Sequence, residues 1–324
     1  MEPLPPGHAR SPERRQLELF QSLPGPWALR DAQDLMSWPF FSLAKSRRTA
    51  PIDFRMGETW ICVEAVPEHG MATIWDADVL IWAASQIVEA LDAGRRTSRL
   101  MATTPYEILT FIGRGRGKAH YERLKSALDR LQSTTVATSI RQAQGHRRHR
   151  FSWINEWRET VGNDGRVRGI ELILPDWFYA GVLDRALVLT IDRAYFSLTG
   201  GLERWLYRLV RKHGGHQPGG WSFDLPHLHL KSGALSPLKQ FTFDIRAIVR
   251  RQALPGYDLS LGRALGRDQL HFVARPSDPL VRAMRRLKRN PADLSASLTP
   301  ETPDACPVDR AEERAVDEPV ENHP

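Results

Sequence analysis

Residues 111–118 read FIGRGRGK, three glycines alternating with basic residues just ahead of a helical pattern. Phosphate binding is the first chemistry such a stretch suggests. A P-loop needs glycine, four residues, then Gly-Lys-Ser/Thr, so that backbone N–H groups wrap the phosphates and a hydroxyl reaches magnesium. Counting back from Gly117-Lys118, Ile112 stands where the first glycine belongs and Ala119 where the hydroxyl belongs. Ile resists the turn and Ala cannot ligate a metal, so the stretch reads as a flexible turn before a helix. His227-Leu228-His229 has the His-hydrophobic-His pattern of a metal-dependent DNA-nicking site. That chemistry also needs a tyrosine nucleophile on a nearby helix. Here Pro226 sets the pair in a helix or turn, and no Tyr-x-x-Lys is present. Tyr121 and Lys125 are one residue too far apart, with Tyr121 on an apolar stripe. His146/His149 and His213/His216 have two-residue gaps, but no cysteine pair accompanies them to make a zinc site. No catalytic group, metal or cofactor is expected, and the chain is not expected to be an enzyme.

Charge is more informative. The 324 residues carry a net +7, unevenly spread. Residues 291–324 hold nine acids against Arg310 and Arg314, a net −7, which leaves +14 on the rest of the chain. A body this basic points to a polyanionic partner, because Lys and Arg facing phosphates release counterions. No run of about 18 apolar residues offers a membrane span, and the N-terminus lacks the apolar core of a signal peptide. Cys62 and Cys306 lie too far apart in sequence to suggest a disulfide framework, so a reducing cytoplasm is expected.

The elements that must position these charges form two segments. Residues 1–30 are Pro-rich and polar and are expected to be flexible. In the first segment, 58–66 and 71–75 read as a short sheet edge, and Asp76 caps a largely apolar helix through Ala90. Thr104-Pro105 starts a short helix. A long helix follows over about 116–132, then a β-branched run, the turn QAQGHRRHR and a returning strand. Residues 163–165 mark a further hairpin, 175–183 a short helix and 187–191 a strand. The second segment repeats the order more briefly. Residues 202–213 are helical, LPHLHLKSG is a short helix or turn, and 236–252 form a strong helix with Ser236 as N-cap and Pro237 first. Two strands close it. Helix, short helix, long helix and β-hairpin, twice over, give an α+β fold of two tandem winged helix-turn-helix domains. The boundaries are 31–191 and 192–276, with flexible termini and a disordered tail at 277–324, basic then acidic.

In such a module the last helix enters the major groove and the hairpin touches the backbone or minor groove. The first long helix should therefore bury one side and offer the other. Tyr121, Leu124, Leu128 and Leu131 make its apolar stripe. Arg116, Lys118, Ala119, Arg123, Ser126 and Arg130 are expected to face DNA, long forks reaching phosphates or guanine edges between small residues. In the second long helix Leu238, Phe241, Ile245 and Ile248 face inward. Lys239, Phe243, Arg246 and Arg250 face outward, with Thr242 at the margin. Arg147, Arg148 and Arg150, at or near a hairpin tip, are expected to form the wing. Trp153, Trp157, Trp205 and Trp221 could stack on single-stranded DNA, although packing is the commoner use of such aromatics.

The blocks PFFSLAKSRRTAPIDF (39–54), GMATIWDADVLIWAASQI (70–87) and YERLKSALDRLQSTTVATSIR (121–141) resemble the plasmid replication initiator protein A family of bacteria. The likeness runs over about residues 38–275. It implies binding to repeats in a plasmid origin as duplex DNA, then origin opening with the host initiator and the replicative helicase. Related iteron-binding initiators are built from two winged-helix domains and also repress their own genes. The sequence leaves open whether two copies pair as a homodimer. The rival readings are a winged-helix transcriptional regulator or partition protein, and a rolling-circle nicking initiator.

Overall fold

The computed structural model describes residues 11–142, 149–163, 165, 167–214, 219–264 and 266–275. Arg147, Arg148 and the tail at 277–324 lie outside the described residues. The fold is mixed α+β. It opens with α1 (Pro12–Gln16), β1 (Leu19–Gln21), β2 (Leu29–Ala32) and α2 (Gln33–Ser37). A hairpin of β3 (Ile52–Met56) and β4 (Thr59–Glu64) leads to α3 (Ala77–Asp92), β5 (Leu100–Thr103), α4 (Pro105–Phe111) and α5 (Lys118–Ser133). Next come β6 (Thr135–Thr138), β7 (Arg150–Ser152), β8 (Glu156–Val161), β9 (Val167–Ile173), α6 (Asp176–Leu183) and β10 (Val188–Ile191). The chain continues through α7 (Gly201–Gly214), β11 (Trp221–Asp224), α8 (Leu225–Ser232), α9 (Leu238–Arg251), β12 (Tyr257–Ala264) and β13 (Arg267–Ala274). Among the described residues no helix is long and apolar enough to cross a membrane.

Sheet order shows an internal repetition. Three strands run β5-β9-β8 in one sheet and β11-β13-β12 in another. In each, the strand after the first helix pairs with the last strand of the closing hairpin. Helix, strand, helix, helix and hairpin thus occur twice, as α3-β5-α4-α5-β8-β9 and α7-β11-α8-α9-β12-β13. The first copy carries an insertion: β6 and β7 leave it to complete a separate sheet, β3-β4-β6-β7. The hairpin in the matching position is therefore β8–β9, while β6 and β7, which flank the stretch expected as the wing, belong to the inserted sheet.

The segment expected to be flexible folds from residue 11 onward. β1 adds to β5 in parallel register, and Arg14 is buried against Glu156 and Glu171. Residues 71–75, expected as strand, contribute only a single parallel bridge, Ser42 to Thr73. Asp76 does not cap α3 with its side chain. Its carboxylate accepts from the N–H and hydroxyl of Thr73, 2.7 and 2.9 Å away. α9 starts one residue later than expected, with Pro237 in the cap position and Leu238 first.

α3 is the hub. It is apolar on almost every face and buried on almost every face, as such a helix must be. Its buried polar groups each hold another segment. Gln86 accepts from the Leu23 N–H (2.6 Å), Ser85 from the Arg30 N–H (2.8 Å), and Asp78 from Arg204 of α7 (2.7 Å). Arg204 also donates to the carbonyls of Leu198 and Phe196. One turn further along α7, Arg208 makes a two-pronged pair with Asp31 of β2 at 2.6 and 2.9 Å. All four side chains are buried. Burial pushes the Asp31 carboxyl up from its ordinary range and Asp78 up to about 6, while the arginines pull both back. Breaking one member of such a pair strands a charge in the core. Asp31→Asn should lower the unfolding free energy by about 3–5 kcal/mol, read from urea midpoints. Asp31→Leu combined with Arg208→Met should recover most of that loss, since a buried pair is worth little more than packed hydrocarbon. Equal losses in the single and double variants would refute the clamp.

Candidate nucleic-acid interface

α5 separates its two faces as its period demands. Leu124, Ala127, Leu128 and Leu131 are buried. Tyr121, assigned to the same stripe, is half-buried and donates its hydroxyl to Glu159 of β8 at 2.8 Å, while Lys125 reaches the same carboxylate at 2.8 Å. Burial, helped by the Glu159 charge, raises the Tyr121 phenol. On the other face Lys118, Ala119, Arg123 and Ser126 are exposed. Arg123 makes no ion pair among the described residues. Arg116 precedes the helix, exposed, with its guanidinium 4.5 Å from the Tyr106 ring centre. The N-terminus of α5 has no side-chain cap and no acid in its first turn. Its unpaired N–H groups and the neighbouring cations together suit a phosphate.

Arg130 departs from expectation. Instead of facing outward it grips both oxygens of Asp76 at 2.8 and 2.7 Å and is only about a quarter exposed. The carboxylate that was expected to cap α3 is thus taken by α5, 54 residues away. Arg130 belongs to the scaffold that aims the helix.

α9 buries Phe241, Ile245 and Ile248. Leu238, expected beside them, is 39% exposed. Lys239, Arg246 and Arg250 are exposed, Thr242 is half-buried, and Phe243 is 58% exposed. Arg246 meets Asp268 of β13 at 2.9 Å, with both side chains about half exposed. Such a pair is worth under about 1 kcal/mol, so a phosphate can replace the carboxylate at small cost. α9 likewise has no side-chain cap and no acid in its first turn.

Arg150, the one expected wing residue that is described, lies on edge strand β7 and pairs with Glu64 at 2.6 Å. Sequence reasoning missed the arginines at the β12–β13 turn. Arg263 and Arg267 flank a turn closed by Gly266 at φ +75°, both exposed. The signal was present, an arginine in each strand beside a glycine turn, but the turn was noted without its charges. Trp153 and Trp205 are core residues and offer no stacking surface.

The exposed face of α5 forms one wall of a groove of about 950 Å³. Arg123 and Ser126 lie on that wall, Lys45 and Arg47 line the groove as well, and Asp76 and Asp78 line it beside them. Sequence reasoning did not bring residues 45–47 to this place, because they precede α5 by some seventy positions.

The comparisons with known proteins agree with this architecture. A putative replication protein of Wigglesworthia glossinidia brevipalpis is 29% identical over 228 residues, covering 69% of this chain and 82% of that protein. Two crystal structures of domains 2 and 3 of RctB are similar in fold at 15% identity. One, a selenomethionine derivative, has a TM-score of 0.54 and covers 74% of this chain and 97% of its own. The other has a TM-score of 0.51 and covers 77% and 99%. The family model for replication initiator protein A matches residues 30–259, well over half of the chain. The chain belongs to the replication initiator protein A family.

Proposed function

We propose that this replication initiator acts by gripping duplex DNA at repeated sequences in a plasmid origin. It would then promote opening of the origin and recruitment of the host initiator and replicative helicase in the cytoplasm. In this reading the two matching element sets are tandem winged helix-turn-helix modules. α5 and α9 are their reading helices, and β8–β9 and β12–β13 are their wings. One observation carries it: each set ends its helices with a rod that buries apolar side chains and leaves long cations in solvent, Arg123 on α5 and Lys239, Arg246 and Arg250 on α9. The same surface would serve repression of its own gene, and binding by paired copies is a further part of the proposal.

No covalent chemistry is proposed. His227 and His229 sit on helix α8 rather than on a strand, with His227 stacked on Phe223 and His229 bonded to the Ser236 carbonyl. The Tyr121 hydroxyl is spent on Glu159. A nicking assay on supercoiled origin DNA with magnesium or manganese should give no open circle. The regulator or partition reading shares the same DNA-binding physics. It parts from the proposal in one experiment: the protein supplied in trans should let a linked origin replicate, and footprinting on DNA flanking its own gene should show repeated protected sites.

Arg123→Ala should weaken binding by about 1–3 kcal/mol and relax base preference at one position of the repeat. Equal loss on repeat and random duplex would reassign Arg123 to phosphate. Arg250→Gln should weaken binding to all sequences alike and make the salt dependence shallower by roughly one phosphate contact. Arg130→Ala should instead lower the melting temperature, since it strands Asp76, and leave the affinity of the folded protein nearly unchanged. A full loss of affinity without loss of stability would return Arg130 to the interface.

A further inference from the structure

Two adjacent arginines in the loop after Ser42 have opposite placements. Arg48 is buried and donates to the carbonyls of Ala50, Pro51 and Gly233 at 2.9, 3.1 and 2.7 Å. Backbone bonds pin the loop further: Ser42 N–H to Ala72 O, Ile74 N–H to Ser42 O, and Met71 N–H to Arg48 O, all at 2.8–2.9 Å. Arg47 turns outward. Its stem crosses Gly70, which has φ +78° and no side chain to obstruct it; a Cβ there would stand 2.5 Å from Arg47 Cγ. One guanidinium N–H of Arg47 donates to the Pro67 carbonyl at 3.2 Å. Lys45 holds its ammonium 5.7 Å from the centre of the Trp75 ring. Neither Lys45 nor Arg47 makes an ion pair among the described residues. These contacts restrict the two side chains, so a ligand that meets them pays less for ordering them.

Both cations line the groove that Arg123 and Ser126 of α5 also line. An α-helix is about 10–12 Å across with its side chains and the DNA major groove about 12 Å wide. A helix seated there fills it, and the flanking sugar–phosphate strands must run immediately beside the helix. We propose that the Lys45–Arg47 rim is a second wall of the DNA site and holds one of those strands through its phosphates. This assignment rests on the duplex-binding reading above and adds a contact outside the reading helices and the hairpins. The carboxylates of Asp76 and Asp78 do not oppose it, because Arg130 and Arg204 hold them at 2.7 Å. Glu68 and Asp129 also line the groove, which is mixed in charge overall. The strand therefore belongs on the rim and not on the floor.

The test is fluorescence anisotropy with the full chain on two duplexes, one from the DNA flanking its gene and one scrambled, between about 50 and about 200 mM salt. Lys45→Gln with Arg47→Gln should weaken binding to both duplexes alike, roughly tenfold or more, at an unchanged melting temperature. The slope of log affinity against log salt should become shallower by about 1.8, two contacts at ~0.9 each. Lys45→Arg with Arg47→Lys keeps both charges and should restore the wild-type slope. An unchanged slope in the glutamine variant, or a loss confined to the flanking duplex, overturns the assignment while leaving duplex binding in place. A charge-keeping variant that fails to restore the slope overturns it too. Wild-type protein that binds neither duplex brings down the underlying reading as well.

Discussion

Two guanidinium groups at the centre of α7 decide how the halves of this molecule meet. Arg204 and Arg208 carry full charges into a region with almost no solvent, where each costs several kcal/mol to bury alone. Asp78 and Asp31 remove that cost only in one arrangement, with Arg204 reaching α3 and Arg208 reaching β2 from α7. A purely apolar contact would tolerate sliding; a two-pronged guanidinium–carboxylate contact does not. α7 is the first helix of the second element set, and α3 is the first helix of the first. The pairs therefore register one set against the other at their roots.

The same chemistry recurs at the next level. α5 is held from below by Arg130 on Asp76 and by Tyr121 and Lys125 on Glu159, and α9 by Arg251 on Glu203 of α7 at 2.8 Å. On α5 the inward-facing polar groups are consumed in positioning, and the outward-facing ones are left unspent or weakly paired. A surface that binds a polyanion needs this division, because a cation already satisfied by a strong internal carboxylate has little to gain from a phosphate. Arg130 and Arg123, seven residues apart on one helix, fall on opposite sides of it.

The local elements were legible because they rest on short-range rules. The 3.6-residue period marked α5 and α9, the Thr104-Pro105 start marked α4 with its reciprocal Glu107 cap, and alternation marked β9, β12 and β13. What escaped depends on partners distant in sequence. Arg204 and Arg208 look like ordinary solvated helix positions until Asp78 and Asp31 arrive from residues far upstream. Asp76 looks like a helix cap until Arg130 takes it. The same limit hid the groove, since nothing local to Lys45 or Arg47 says which helix will stand opposite. Strand order too was hidden: the pair β8–β9, later in the chain than the basic turn after α5, reproduces the strand order of the second copy.

The N-terminal strap has a bearing on how the family's borders should be understood. The family model matches residues 30–259, yet β1 covers the edge of β5, Arg14 pairs with Glu156 and Glu171, and β13 supplies Leu270 and Phe272 to the interior. A fragment cut to residues 30–259 would carry an open strand edge at Leu100–Thr103, a Glu156 without its Arg14 partner, a Glu171 left to Arg158 alone, and a gap where β13 belonged. The stretch that relatives share and the stretch that can stand alone in water are different lengths, and the outlying residues make up the difference.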